Sequence, residues 1–156
     1  MRNTAKRATR SAVLGLPIVM VACSGYQAPT FEAVGVREIE RSDEQAVLAF
    51  RVEATNPNRD PMELGPATYT LSIDGNDVFT GVRSPQSTLH TFSSHAFELP
   101  AVIPSGIASS TGEITYRIRG SVIYKNPGAL ADVLFDAEVI VPEAALNLTG
   151  TIDLGG

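Results

Sequence analysis

One thiol, two imidazoles and a scatter of hydroxyls and carboxylates are the groups in this 156-residue chain that could do chemistry. The thiol belongs to Cys23 and the imidazoles to His90 and His95. One Cys and two His do not supply the four ligands of a structural zinc, and a lone Cys builds no disulfide framework. The two histidines are five residues apart in a segment predicted to be extended. An odd spacing along a strand puts side chains on opposite faces, which argues against a shared metal ion. Ser and Thr are plentiful, yet no Gly-x-Ser-x-Gly elbow occurs, so a Ser-His-Asp hydrolase is not expected. Asp60, Glu63, Asp74 and Asp77 read as turn residues, and Asp74-Gly75-Asn76-Asp77 lacks the alternation of ligands found in a calcium loop. Asn147-Leu148-Thr149 is a formal glycosylation sequon. The expectation is a protein that is not an enzyme and uses no cofactor and no metal.

Cys23 stands apart because of what precedes it. Arg2, Lys6, Arg7 and Arg10 make the first ten residues basic, residues 11–22 (SAVLGLPIVMVA) are apolar, and small residues lead into the Cys. This is the order of a secretory signal: basic region, apolar region, cleavage site. Twelve residues rise only about 18 Å as a helix, against a hydrocarbon core of about 30 Å, so the segment is too short to span. The junction Met20-Val21-Ala22-Cys23 resembles the bacterial lipobox, with Met20 where Leu is more usual. That resemblance implies cleavage between Ala22 and Cys23 and acylation of Cys23. Two or more acyl chains, each buried methylene contributing about 0.8 kcal/mol, anchor a protein stably where one does not. The organisation expected is a signal peptide at 1–22, a lipidated Cys with a polar tether at 23–30, and a domain at 31–156. Ser24 follows the Cys where an inner-membrane retention signal would place Asp. The location expected is therefore the bacterial cell envelope, on the periplasmic face of an outer membrane where the cell has one.

The formal charge is −5, but the four basic residues of the leader account for a third of the cations, and the first acid is Glu32. Residues 23–156 carry eight Lys and Arg against seventeen Asp and Glu, a charge of −9. A chain this acidic lacks the basic footprint needed to displace counterions from nucleic acid. Anionic headgroups would repel it too, which leaves acyl chains as its membrane partner.

The elements that must position all this are strands. Ala46, Leu48, Phe50, Val52 and Ala54 alternate with mixed residues, and Ala67, Tyr69, Leu71 and Ile73 repeat the pattern. Ile114, Tyr116, Ile118, Val122 and Tyr124 form a third apolar face, and Leu146, Leu148, Ile152 and Leu154 close the chain. Val133, Phe135, Ala137, Val139 and Val141 read as a further strand, with Ala129 to Asp132 as one helical turn before it. Weaker strands are expected near 31–40, 78–82 and 87–99. Half-buried strands in this number need a second layer, so the fold predicted is all-β, an antiparallel two-sheet β-sandwich of seven to eight strands with at most one short helix. Asp-Gly-Asn at 74–76 tolerates the positive φ of a hairpin turn, joining strands 67–74 and 78–82.

An apolar strand running into Asn56-Pro57-Asn58, the aromatic strand at Tyr69, and Gly75 with the return to Gly81 resemble the late embryogenesis abundant (LEA) type 2 family, also called the WHy domain. Leu99-Pro100, Ile103-Pro104 and Tyr116 to Gly120 match its layout downstream, so the likeness covers about residues 31–142. The resemblance implies a fibronectin- or immunoglobulin-like sandwich and a role in protection against desiccation or other water stress, with no catalytic residues. Asn56, Pro57 and Asn58 match the family signature, and their expected role is structural. Pro57 forces Asn56 extended, and the Asn side chains can bond nearby backbone to end the strand. The alternative expected from the residues is an envelope adaptor that pairs through a sheet edge.

Overall fold

The computed structural model describes residues 25–109 and 112–153. The leader, Ala22, Cys23 and Leu154 lie outside the described residues. Eight strands run β1 Thr30–Arg41, β2 Gln45–Thr55, β3 Met62–Ile73, β4 Asn76–Arg83, β5 Ser87–Leu89, β6 Ser94–Pro104, β7 Glu113–Lys125 and β8 Glu143–Asp153. Two helices interrupt them, α1 Ser105–Ala108 and α2 Ala129–Asp136. One sheet has the order β1-β2-β6; the other has the order β4-β3-β7-β8, with β5 continuing the β4 side of β3. All pairings are antiparallel.

The alternation read from the sequence is the alternation of burial. Ala46, Leu48, Phe50, Val52 and Ala54 line one inner face; Ala67, Tyr69, Leu71, Ile73, Ile114, Tyr116, Ile118, Val122, Leu146 and Leu148 line the other. The sheets meet through aromatic rings, with Phe50 of β2 stacked at a tilt on Tyr116 of β7, centroids 4.9 Å apart. The expected hairpin forms: Ile73 pairs with Asn76, and Asp74 (φ 47) and Gly75 (φ 85) take the left-handed conformations of a two-residue turn. Pro66, which has no N–H for the ladder, sits where β3 bulges between Leu64 and Ala67.

Four expectations are corrected. There are two short helices rather than at most one. The strand read over 133–141 is instead α2 followed by residues 137–142, which form no strand. β7 pairs instead with β8, from Glu113 up to Ile123. Residues 129–136 contain Ala129, Leu130, Ala131 and Leu134, strong helix formers with only Val133 β-branched. The segment 87–99 is two strands, broken by the turn at 90–93, so His90 lies in a loop and His95 in β6, not on one strand. Asp77 and Glu63 lie in β4 and β3 rather than in turns; Asp77 accepts from the Ser72 hydroxyl and from Arg119 at 3.1 Å.

Tyr69 ties the sheets together, since its hydroxyl on β3 donates to the Pro100 carbonyl on β6. Burial pushes this phenol up to about 12, against a smaller opposing pull from Arg83, and burial raises Tyr116 as well. The folded value lies above the unfolded value of about 10, so the neutral phenol stabilises the fold in full below about pH 10. That contribution is lost as pH rises through about 12. Tyr69→Phe is expected to be less stable than the parent near neutral pH by about 1 kcal/mol, because the Pro100 carbonyl loses its partner. It should lose less further stability than the parent between about pH 10 and 12, as read by urea unfolding at each pH.

Candidate functional site

The end of the sandwich where β1 begins gathers the signature residues, the chain's entry point and the least buried apolar surface. β2 delivers Asn56 to this end. Its backbone N–H donates to Ser93 O at 2.9 Å, which holds the strand end against the 90–93 turn. Asn56 is completely buried. Its Nδ2 donates to Asp60 O at 2.8 Å, to His90 O at 3.1 Å and to Leu89 O at 3.3 Å. Its Oδ1 accepts from the backbone N–H of Asn58 at 2.9 Å and from Asn58 Nδ2 at 3.0 Å. Every donor and acceptor of the amide is engaged, which a buried amide requires.

Asn58 passes the connection on. Its Nδ2 donates to Gln27 O at 2.8 Å and its Oδ1 accepts from Gln27 N–H at 2.9 Å, a strand-like pair of bonds made by a side chain. Tyr26 donates to Asp60 Oδ2 at 2.8 Å, and this bond raises the Tyr26 hydroxyl's pKa above its ordinary value. Pro29 is buried. The residues read from sequence as a polar tether are thus fastened to the domain from Tyr26 onward. Asn56, Pro57 and Asn58 form a clamp that joins three segments: the entering chain, the 56–60 turn and the 90–93 turn. Sequence reasoning placed the strand end at these residues but had no signal for the long-range bonds to Gln27, Leu89 and His90, which depend on the fold.

The second feature at this end was missed. A pocket of about 460 Å³ opens between Tyr26, Pro127, Leu130, Leu134, Phe135 and Ile140. Asn126 also lines it, and its Oδ1 is buried without a hydrogen-bond partner. The helix α2 that forms the wall has no buried residue. Lys125 at the end of β7 reaches it, its Nζ lying 3.1 Å from Asp136 and 3.3 Å from Asp132 and 5.4 Å from the Phe135 ring centre. The hydrogen bond to Asp136, with Asp132 behind it, raises the Lys125 pKa. The period of Leu130, Leu134 and Ala131 could have indicated a helix, but nothing in it showed that the apolar face would stay uncovered.

The remaining candidates are dispersed. His90 and His95 are both exposed. Asp74 accepts from Thr115 N–H at 3.1 Å, locking the hairpin onto β7. No cluster of three or more His, Cys, Asp or Glu suited to a metal occurs among the described residues, and no helix among them is long and apolar enough to cross a membrane.

No protein-family model matches the chain and no curated protein matches it. Solved structures do. AT1g01470 from Arabidopsis thaliana has a solution structure similar to this chain, with a TM-score of 0.64 at 18% identity, covering 90% of this chain and 91% of that one. The solution structure of At2g46140.1, described as a late embryogenesis abundant (LEA) protein, is similar with a TM-score of 0.61 at 13% identity, covering 83% of this chain and 72% of that one. At these identities the likeness is one of fold. The sandwich expected from the LEA resemblance is the fold observed, and it is a fold that a LEA-type protein has.

Proposed function

We propose that this protein is a non-catalytic, lipid-anchored envelope protein whose LEA-type sandwich protects neighbouring proteins or membranes during water loss. The observation that carries the reading is the extent of the shared architecture: a protein described as LEA has the same sandwich over 83% of this chain. The anchor rests on the basic, apolar and small-residue order ending at Cys23. A folded sandwich cannot act as a disordered shield does, because its apolar residues are committed to the interior. Its free surface is hydroxyl-rich and acidic, with Thr68, Thr70, Thr115, Thr149 and Thr151 on outward positions of the four-stranded ladder. Such a surface competes for the hydrogen bonds that departing water gave up and repels its own copies as they concentrate.

The test is to dry a labile reporter enzyme with the full-length chain and, separately, with albumin at equal mass. Retention of activity well above the albumin control is expected. Equal loss in both would overturn the protective reading. A second reading, an envelope adaptor, is favoured by one feature: among the described residues β8 pairs with β7 alone and runs without a bulge from Glu143 to Asp153. β1, an edge of the other sheet, is broken by two register shifts and carries Glu38, Glu40 and Arg41, which blunt strand addition. Recovery of one stoichiometric partner from envelope extracts, lost when a proline is placed on the outward N–H positions of β8, is the result expected of an adaptor.

A further inference from the structure

We propose that the end of the sandwich built from α2, residues 137–142 and the tip of the 90–93 turn is a membrane-docking face that seats in the interfacial zone of a bilayer with uncharged or zwitterionic headgroups. The proposal rests on the lipid anchor read at Cys23 and adds to it an orientation and a contact surface.

Three observations carry it. The first is where uncovered apolar side chains fall. Leu130 is 73% exposed, Val139 67%, Val133 64% and Phe92 63%. Together with Tyr26, Ile140 and Val141 they make seven of the ten large apolar side chains exposed among the described residues. All seven lie at the end where β1, β3 and β8 begin and β2 and β7 finish; only Val34, Ile39 and Val82 lie elsewhere, on β1 and β4. A patch gathered at one end of an otherwise polar surface marks a site of contact rather than chance exposure. An eight-residue helix with no buried residue is poorly supported in water, and no other described residue covers Leu130 or Val133.

The second observation is the route of the chain. Cys23 precedes Tyr26 by three residues, which span at most about 11 Å even when fully extended. From Tyr26 onward the chain is bonded down, through Asp60 and through both polar atoms of the Asn58 amide. An acylated Cys23 therefore cannot sit far from this end, and Tyr26 is itself a wall of the apolar pocket. The tether is too short for the domain to hang free of the surface, so the face nearest the bilayer is the face with α2. The hairpin tip at Asp74 and Gly75 lies at the other end of the twelve-residue β3, about 35 Å away at the usual rise per residue.

The third observation is charge. Asp132, Asp136, Glu138 and Glu143 border the α2 side of the patch, where Lys125 is already paired with both aspartates; beside the 90–93 turn the exposed Arg59 stands next to the carboxylate of Asp60, so the rim as a whole is acidic. This rim opposes anionic headgroups. The apolar side chains, not cations, make the contact, so docking is expected to be insensitive to salt.

The experiment uses the mature acylated protein, beginning at Cys23, in phosphatidylcholine vesicles, with a nitroxide on a single introduced cysteine. Cys23 is consumed by its thioether, so Val133→Cys, Phe92→Cys or Asn76→Cys offers the one free thiol. The expected result is that labels at 133 and 92 become less accessible to an aqueous nickel chelate by about fivefold relative to the label at 76, and more accessible to oxygen, at both low and high salt. Replacing Leu130 and Val139 by Ser should abolish the protection at 92 and 133 while the protein stays on the vesicles. Vesicle-bound protein with all three labels equally open to the chelate would overturn the docking face and leave the anchor standing. Protection at 133 that appears without vesicles and grows with protein concentration would also overturn it, assigning the patch to a second copy. Protein that carries no acyl chains and stays in solution would overturn the anchor, and the docking face with it.

Discussion

Gly120→Ala is expected to lower the melting temperature by about 10–15 °C, or to prevent folding, although it adds one methyl group to a position at the surface of the sheet. Gly120 of β7 is paired with Tyr69 of β3 in the middle of the larger sheet. A Cβ at 120 would lie 2.0 Å from the Thr68 carbonyl oxygen and 2.8 Å from the Tyr69 Cα. Both are backbone atoms of the central strand, so no side-chain rotation can relieve the overlap. Either the β3–β7 ladder opens or β7 shifts, and a shift carries Ile118 and Val122 out of register with the core. A cost of about 3 kcal/mol or more is expected, at the upper end for added volume in a packed site. Gly106→Ala is the control. A Cβ there meets nothing within 4 Å, and its stability should stay within about 1 kcal/mol of the parent. Thermal unfolding by circular dichroism separates the two. A Gly120→Ala protein as stable as Gly106→Ala would mean that the strand pairing described here is wrong.

Asn56→Ala is expected to cost about 3–5 kcal/mol, the largest loss from removing any polar side chain in the domain. The substitution strips the Asp60, Leu89 and His90 carbonyls and the Asn58 N–H of their partner; the bonds to Leu89 and Asn58 are buried and those to Asp60 and His90 partly so. Each orphaned buried group costs on the order of 1 kcal/mol or more. Asn56→Asp discriminates between volume and hydrogen bonding, since it keeps the shape and the acceptor but replaces the donor with a carboxylate facing three carbonyls. It should be at least as damaging as Ala at neutral pH and partly recover when acid protonates the new carboxyl. Asn58→Ala, which removes the bonds to Gln27, should cost less globally, about 1–2 kcal/mol, yet speed amide exchange at residues 26–29. Chemical unfolding and hydrogen exchange read these separately. Equal, small losses in all three variants would show the clamp to be decorative.

The strands were legible because an apolar face opposite a polar one leaves a period of two; that period follows burial through β7 and β8, and through β2 and β3 except at Ala49, at Ser72 and at the bulge between Leu64 and Ala67. The hairpin at 74–75 was legible because Asp-Gly is a local conformational demand. Asn56, Pro57 and Asn58 could be read as the end of a strand, also a local property. What was not legible depends on distance: the bonds from Asn56 and Asn58 to Leu89, His90 and Gln27 span some thirty residues, and no spacing rule encodes them. α2 was misread because Val133, Phe135, Ala137, Val139 and Val141 alternate by chance across a helix and the turn after it. The stronger local signal was the run of Ala and Leu after Asn126-Pro127-Gly128. The misreading concealed the apolar end of the molecule, because a strand would have buried those side chains and a helix does not. The fastening of Tyr26 and Gln27 was hidden for the same reason that the clamp was, and it turns a loose tether into a fixed exit point.

Everything proposed for this protein's place in the cell hangs on Cys23. The decisive measurement is the intact mass of the protein purified from membranes of its native host, beside a Cys23→Ser variant prepared in the same way. The expected result is a chain lacking residues 1–22 and carrying two or more acyl chains, with the variant unacylated and no longer held in the membrane fraction. An unmodified full-length chain recovered from the soluble fraction would contradict the anchor, the envelope location and the docking face together, and would leave a two-sheet β-sandwich whose compartment has to be found by other means.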